Sequence, residues 1–91
     1  MKIKVVEKKM GRKKLWGQAH FDRGEIDIDP RLKGKKHLEI LLHEALHIIY
    51  QSEDEDRIVK DSIALTNLIW EQSYRRVDDD NSIPLQDGKH Y

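Results

Sequence analysis

The sequence contains no cysteine, which excludes disulfide bonds and thiolate metal ligands within these 91 residues. Long apolar runs are also missing, since no stretch approaches the roughly 18 residues that a membrane-spanning helix needs. Residues 1–9 hold no apolar segment of signal-peptide length. We therefore expect a cytoplasmic protein with no membrane partner.

The chain also has no net charge at pH 7, although charged residues make up 37% of it. Residues 1–36 contain twelve Lys and Arg and five Asp and Glu, whereas residues 37–91 contain five Lys and Arg and twelve Asp and Glu. The basic part could attract an anionic partner, but the simpler interpretation is that the two parts neutralise each other in the folded protein. We therefore do not expect nucleic acid as a partner.

A chain of 10.8 kDa with 37% hydrophobic residues and a mean hydropathy of -0.80 has room for one small, highly charged domain. We predict that this domain covers residues 1–77. Residues 78–91 show no apolar periodicity and are predicted to form a disordered tail.

Alternating apolar and charged residues predict β-strands in the N-terminal part of the chain. The alternation runs over residues 2–5 and again over residues 25–29, and residues 15–21 can form a strand between them. Residues 22–24, Asp-Arg-Gly, are typical of a turn, so the second and third strands are predicted to form a hairpin.

The pattern changes to the helical period from about residue 35. Apolar residues recur at spacings of three and four up to about Tyr50, and a second helix is predicted from the acidic residues 54–56 to Arg75 and Arg76. The buried side of the second helix is predicted to consist of Ile58, Ser62, Leu65, Leu68 and Ile69. Strands followed by two helices predict an α+β fold, in which a small antiparallel hairpin or three-stranded sheet packs on two helices.

The first predicted helix contains the sequence His43-Glu44-Ala45-Leu46-His47, an H-E-x-x-H motif. Histidines four residues apart lie on one helix face, so both can bind one metal ion. Glu44 lies one step round the helix, where it can act as a base for a metal-bound water without being a ligand. The alternative is that these are ordinary helix residues, but the uncharged flanks favour a metal site. We predict Zn²⁺ as the cofactor.

A zinc site of this type needs a third protein ligand. The longer motif that ends in a third histidine is absent, so we expect a carboxylate from the second helix. Glu55 is the first choice, because it lies in the first turn of that helix and shares a face with Ile58. Asp54, Asp56 and Asp61 remain alternatives, although each acid could instead serve the helix dipole.

Over residues 15–76, the order of strand, turn, strand, H-E-A-L-H helix and acidic second helix resembles the small zincin metallopeptidases of the gluzincin type. It is most similar to compact phage and bacterial domains of the SprT-like and ImmA/IrrE groups, and residues 43–47 are its specific motif. The resemblance implies two histidine ligands, a catalytic glutamate and an acidic third ligand, here Glu55. It also implies that an edge strand, here residues 25–28, pairs with an extended peptide substrate.

Two functions remain open at this point. The first is a zinc-dependent metallopeptidase acting on a protein or peptide, in which Glu44 activates a zinc-bound water and Tyr50, Tyr74 or His20 stabilises the oxyanion. The second is a non-catalytic, zinc-stabilised domain that binds another protein. We favour the peptidase, because a purely structural zinc site has no use for a base beside the metal.

Overall fold

Three strands and two helices form the part of the chain that the computed structural model describes, which is residues 1–10, 16–51 and 54–77. In chain order they are β1 (Lys4–Glu7), β2 (Gly17–His20), β3 (Glu25–Ile28), α1 (Gly34–Ile49) and α2 (Glu55–Glu71). A three-stranded sheet packed against two helices is an α+β fold, which confirms the predicted class. The predicted tail, residues 78–91, lies outside the described residues.

The central strand of the sheet is β3, with β1 on one side and β2 on the other. The predicted hairpin is present: β2 pairs antiparallel with β3 after a turn through Phe21–Arg23 and Gly24, whose φ of 59° suits glycine. The sheet is mixed, because β1 pairs parallel with β3. The expectation that residues 25–28 form an edge strand is therefore wrong, since β1 covers one side of them.

Helix α1 covers the sheet over β2 and β3 and supplies four of the nine core residues. Its inward stripe meets the buried residues of the other elements. The core consists of Ile26, Ile28, Leu32 and Ile48, with Ile3, Ala19, Ile40, Leu41 and Ala45 packed around them. Burial of this apolar surface against the sheet is what holds α1 in place.

Helix α2 packs on α1 and begins and ends at identifiable residues. The carboxylate of Asp54 accepts a hydrogen bond from the backbone N–H of Arg57 (2.9 Å) and caps the helix. The helix ends at Glu71 and not at Arg75 and Arg76 as predicted. Ser73 adopts a left-handed φ of 68°, which stops the helix, and the guanidinium of Arg75 turns back over the ring of Trp70.

The buried face of α2 differs from the predicted one. Ile58, Ser62 and Thr66 are buried, whereas Leu65 and Leu68 are 37% and 56% exposed. The hydroxyl of Ser62 donates to the carbonyl of Val59, and the hydroxyl of Thr66 donates to the carbonyl of Ser62. Because both hydroxyls are satisfied within the helix, burying them costs little.

Neither described helix is long and apolar enough to cross a membrane.

Asp29 is completely buried directly after β3 and was not singled out by the sequence. Its carboxylate accepts hydrogen bonds from the backbone N–H groups of Met10 (3.0 Å) and Arg31 (2.9 Å), and it pairs with the Arg31 guanidinium at 2.6 and 2.9 Å. The bonds from Arg31 hold the pKa of Asp29 well below its usual range. Asp29 thereby ties the segment after β1 to the turn that leads into α1.

We expect Asp29→Asn to lower the melting temperature by several degrees, because the ion pair with Arg31 is lost inside the protein. A carboxylate whose pKa is lower in the folded state adds stability above its unfolded pKa of about 4, and this stability is lost as the pH falls through the folded pKa. The difference between wild type and variant should therefore be full at pH 7 and smaller below about pH 4.

Thermal unfolding followed by circular dichroism at both pH values measures this difference. Asp22→Asn is the control, because the Asp22 side chain is 79% exposed. Equal effects of the two substitutions, or a difference that grows on acidification, would contradict the role given to Asp29.

Candidate metal centre

The packing of α1 on α2 brings together three side chains that could hold a metal ion. His43 and His47 lie on one face of α1, and Glu55 is the first residue of α2. The two Nε2 atoms are 3.2 Å apart. Glu55 Oε2 lies 3.2 Å from His43 Nε2, and Glu55 Oε1 lies 2.9 Å from His47 Nε2. Among the described residues, these three form the one cluster of potential ligands found.

The spacing of the three side chains is close to what a tetrahedral zinc ion needs. Bonds of 2.0–2.2 Å at tetrahedral angles place neighbouring ligand atoms about 3.3–3.6 Å apart. The two Nε2 atoms are 3.2 Å apart, and each lies 2.9 or 3.2 Å from a different oxygen of Glu55, within a few tenths of an ångström of that range. The Glu55 side chain is 61% exposed, so it has room to adjust its two distances.

Hydrogen bonding and metal binding are the two ways to account for these contacts. An imidazole Nε2 carries either one proton or one lone pair in the ring plane, so it serves one partner at a time. If both histidines donate to Glu55, two N–H groups of like polarity lie side by side at 3.2 Å. A cation replaces both protons and lets three lone pairs point at one centre, so the chemistry of the donor set fits a metal ion.

The cluster is open to solvent on one side. The side chains of His43 and His47 are 19% and 26% exposed, and that of Glu55 is 61% exposed. Catalytic zinc sites have three protein ligands and keep the fourth position for water or substrate, whereas structural sites are closed by a fourth protein ligand. Three donors at a solvent-exposed position match the open type.

The other acids considered as ligands lie outside the cluster. Asp54 caps α2 through the backbone of Arg57, and Asp61 lies 3.6 Å from the Arg57 guanidinium. Asp56 is exposed in the first turn of α2. The fold therefore brings Glu55 to the histidines and gives Asp54 and Asp61 structural contacts instead.

Glu44 lies at the contact between α1 and β2. A Cβ placed on Gly17 would lie 3.1 Å from Glu44 Cγ, so the side chain is close to the strand. Burial raises the pKa of Glu44, and the nearby His43, His47 and backbone N–H of Ala19 oppose this effect. The carboxylate thus sits between the potential metal ligands and strand β2.

Strand β2 lies beside Glu44, and the sequence analysis gave this strand no part in the site. The Asp29 N–H donates to the carbonyl of Trp16 at 2.9 Å, so the backbone groups of Trp16 point toward the β3 side. Because backbone groups alternate in direction along an antiparallel strand, those of Gly17 and Ala19 point away from β3. The free edge of the sheet beside Glu44 is therefore the edge of β2. The sequence signal for this is weak, because it consists only of two small residues at alternate positions.

The candidates for oxyanion stabilisation are placed differently. Ala19 packs into the core under α1, so its neighbour His20 points to the opposite face of the sheet, where its Nε2 lies 2.9 Å from Asp27. Tyr74 follows the far end of α2, about 25 Å along the helix from Glu55. Tyr50 is exposed directly after α1, one turn beyond His47, and remains a candidate.

A groove on another part of the protein has a volume of about 730 Å³. It is lined by residues of β1, of the beginning of α1, of the end of α2 and of the chain after α2, including Val5, Leu38, Trp70 and Arg76. His43, His47 and Glu55 do not line this groove. The candidate metal centre is thus separate from it.

Comparisons of the chain with protein-family models, with curated proteins and with solved structures find no match. The resemblance to zincins therefore stays an expectation from the sequence, and residues 43–47 are its specific motif.

We expect the full chain to bind one Zn²⁺. Loss of a residue that only supports a metal ligand weakens metal binding by roughly 10–100-fold, and we expect Glu55→Ala, which removes a ligand, to weaken zinc binding by more than this. Isothermal titration calorimetry in the presence of a competing chelator measures the affinity. Asp56→Ala is the matched control, because it removes the neighbouring carboxylate outside the cluster. Equal affinities of the two variants would contradict the assignment of Glu55.

Proposed function

We propose that the protein is a zinc-dependent metallopeptidase. The observation that carries the proposal is the convergence of His43, His47 and Glu55. Glu44, the residue after His43, lies outside this cluster at the free edge of β2. Two imidazoles and a carboxylate are a ligand set of catalytic zinc in peptidases. A carboxylate beside such a set, but outside it, is what hydrolysis requires.

The roles of the residues follow from their positions. His43, His47 and Glu55 would hold the zinc ion, which when bound would supply an activated water at neutral pH and polarise the scissile carbonyl. Glu44 would accept the proton of the attacking water and deliver it to the leaving amine nitrogen. Burial favours its protonated form, which suits a group that must take up a proton and release it again.

The substrate would lie along β2. The outward backbone groups of Gly17 and Ala19 can pair with an extended peptide, which would add to the sheet as a further strand. This arrangement places the peptide next to Glu44. It replaces residues 25–28, which the resemblance implied as the pairing strand and which are central in the sheet.

A non-catalytic, zinc-stabilised domain that binds another protein is the second candidate function. A metal ion held by residues of both helices would cross-link α1 and α2, which is useful in a domain of this size. This function gives Glu44 no task, and the contact of Glu44 with the β2 edge favours the peptidase. The absence of cysteine favours a cytoplasmic location for either function.

We expect Glu44→Gln to lower peptidase activity by roughly 10²–10⁴-fold, because the amide cannot accept the proton. Zinc affinity should stay unchanged, because Glu44 is not one of the three ligands. The substrate is a mixed library of internally quenched peptides, and cleavage is followed by fluorescence with zinc-loaded full chain.

Glu71→Gln is the control for this experiment, since Glu71 lies at the end of α2 that is remote from Glu55. Cleavage that survives in Glu44→Gln would exclude Glu44 as the base. If zinc binds but wild type cleaves no peptide in the library, the peptidase proposal fails and the protein-binding domain takes its place.

A further inference from the structure

We propose that Gly17 is a positioning residue, which lets β2 approach α1 closely enough for the Ala19 N–H to hold the Glu44 carboxylate at the substrate edge. The inference rests on the proposed peptidase function for its effect on turnover. Its structural part, the dependence of the contact between Ala19 and Glu44 on Gly17, can be tested without any activity.

Gly17 is required for space and not for backbone conformation. The positive φ angles among the described glycines belong to Gly24 and Gly34, so an alanine could adopt the backbone of residue 17. A Cβ at this position would lie 2.8 Å from Ile40 Cγ2 and 3.1 Å from Glu44 Cγ. The first distance is shorter than real contacts allow, so the Ile40 side chain, β2 or α1 must shift to admit a methyl group.

The movement would act directly on the proposed base. Ala19 is two residues along β2 from Gly17, and its N–H, which points to the free edge, lies beside the Glu44 carboxylate and lowers the pKa of that group. A methyl group at residue 17 would press on Glu44 Cγ and push the strand away from the helix. Both displacements lengthen the bond from the Ala19 N–H.

The potential metal ligands are separate from this contact. His43 and His47 belong to α1, and Glu55 belongs to α2, so a shift of β2 away from α1 leaves the three side chains in the same arrangement relative to one another. A substitution at Gly17 should therefore separate zinc binding from catalysis. Misplacement of a catalytic group by about 1 Å can cost roughly 10²-fold in rate.

The experiment compares wild type, Gly17→Ala and Lys4→Ala as zinc-loaded full chains. Lys4 is the control, because it is exposed and lies in β1, at the edge of the sheet opposite to β2. We expect Gly17→Ala to lower kcat for the quenched peptide library by roughly 10²-fold, with a smaller change in KM and unchanged zinc affinity. Lys4→Ala should match wild type in all three quantities.

The backbone amide of Ala19 gives a readout that a loss of stability alone would not move. In ¹⁵N-correlated NMR spectra, Glu44→Gln and Gly17→Ala should both shift the Ala19 amide signal, since both weaken its bond to the carboxylate. A second variant, Gly17→Ala with Ile40→Ala, removes the closest atom, Ile40 Cγ2. It should restore part of kcat and return the Ala19 signal toward wild type, relative to Ile40→Ala alone.

The proposal is wrong if folded Gly17→Ala keeps the wild-type Ala19 signal, whether or not its melting temperature falls. It is also wrong if kcat is unchanged or if zinc affinity falls in parallel with activity. If wild type binds zinc but cleaves no peptide, the peptidase function fails, and the Ala19 signal still decides whether Gly17 positions Glu44.

Discussion

The contact between α1 and α2 is the interaction on which the candidate site depends. Helix α1 is held against the sheet by its apolar stripe, and α2 packs on α1 through Ile58, Ser62 and Thr66. Because α1 is fixed in this way, the packing of α2 on α1 places Glu55, the first residue of α2, beside His43 and His47. A displacement of α2 along α1 by one turn would move Glu55 about 5 Å and dismantle the cluster.

Local features of the sequence predicted most of the site. The spacing of His43 and His47 is a property of a single helix, and Glu55 follows from a short connection into the first turn of the next helix. The strand order could not be predicted in this way. That β1 crosses to pair with β3, leaving β2 at the edge near Glu44, depends on contacts between residues far apart in the chain.

The burial of polar residues explains two other differences from prediction. A hydrophobicity pattern places leucines inside, yet Leu65 and Leu68 are exposed while Ser62 and Thr66 are buried. The hydroxyl groups donate hydrogen bonds to carbonyls of their own helix, and a hydropathy scale does not account for such bonds. Asp29 is a similar case, because its burial depends on Arg31 and on a backbone N–H nineteen residues away.

A metal ion at the junction of the two helices would combine stability with chemistry. Its three donors come from both helices, so metal affinity and the packing of α2 on α1 would be linked. The position of Glu44 is what favours the proposed enzyme over a domain that is only stabilised by metal. Its side chain lies beside β2 and outside the donor set, where a base could meet an extended peptide.

X-ray absorption at the zinc edge of the zinc-loaded full chain tests the central claim most directly. The account predicts four light ligand atoms at about 2.0–2.2 Å, with the multiple scattering of two imidazole rings. A six-coordinate oxygen shell without imidazole scattering, or loss of all zinc on desalting, would contradict the account.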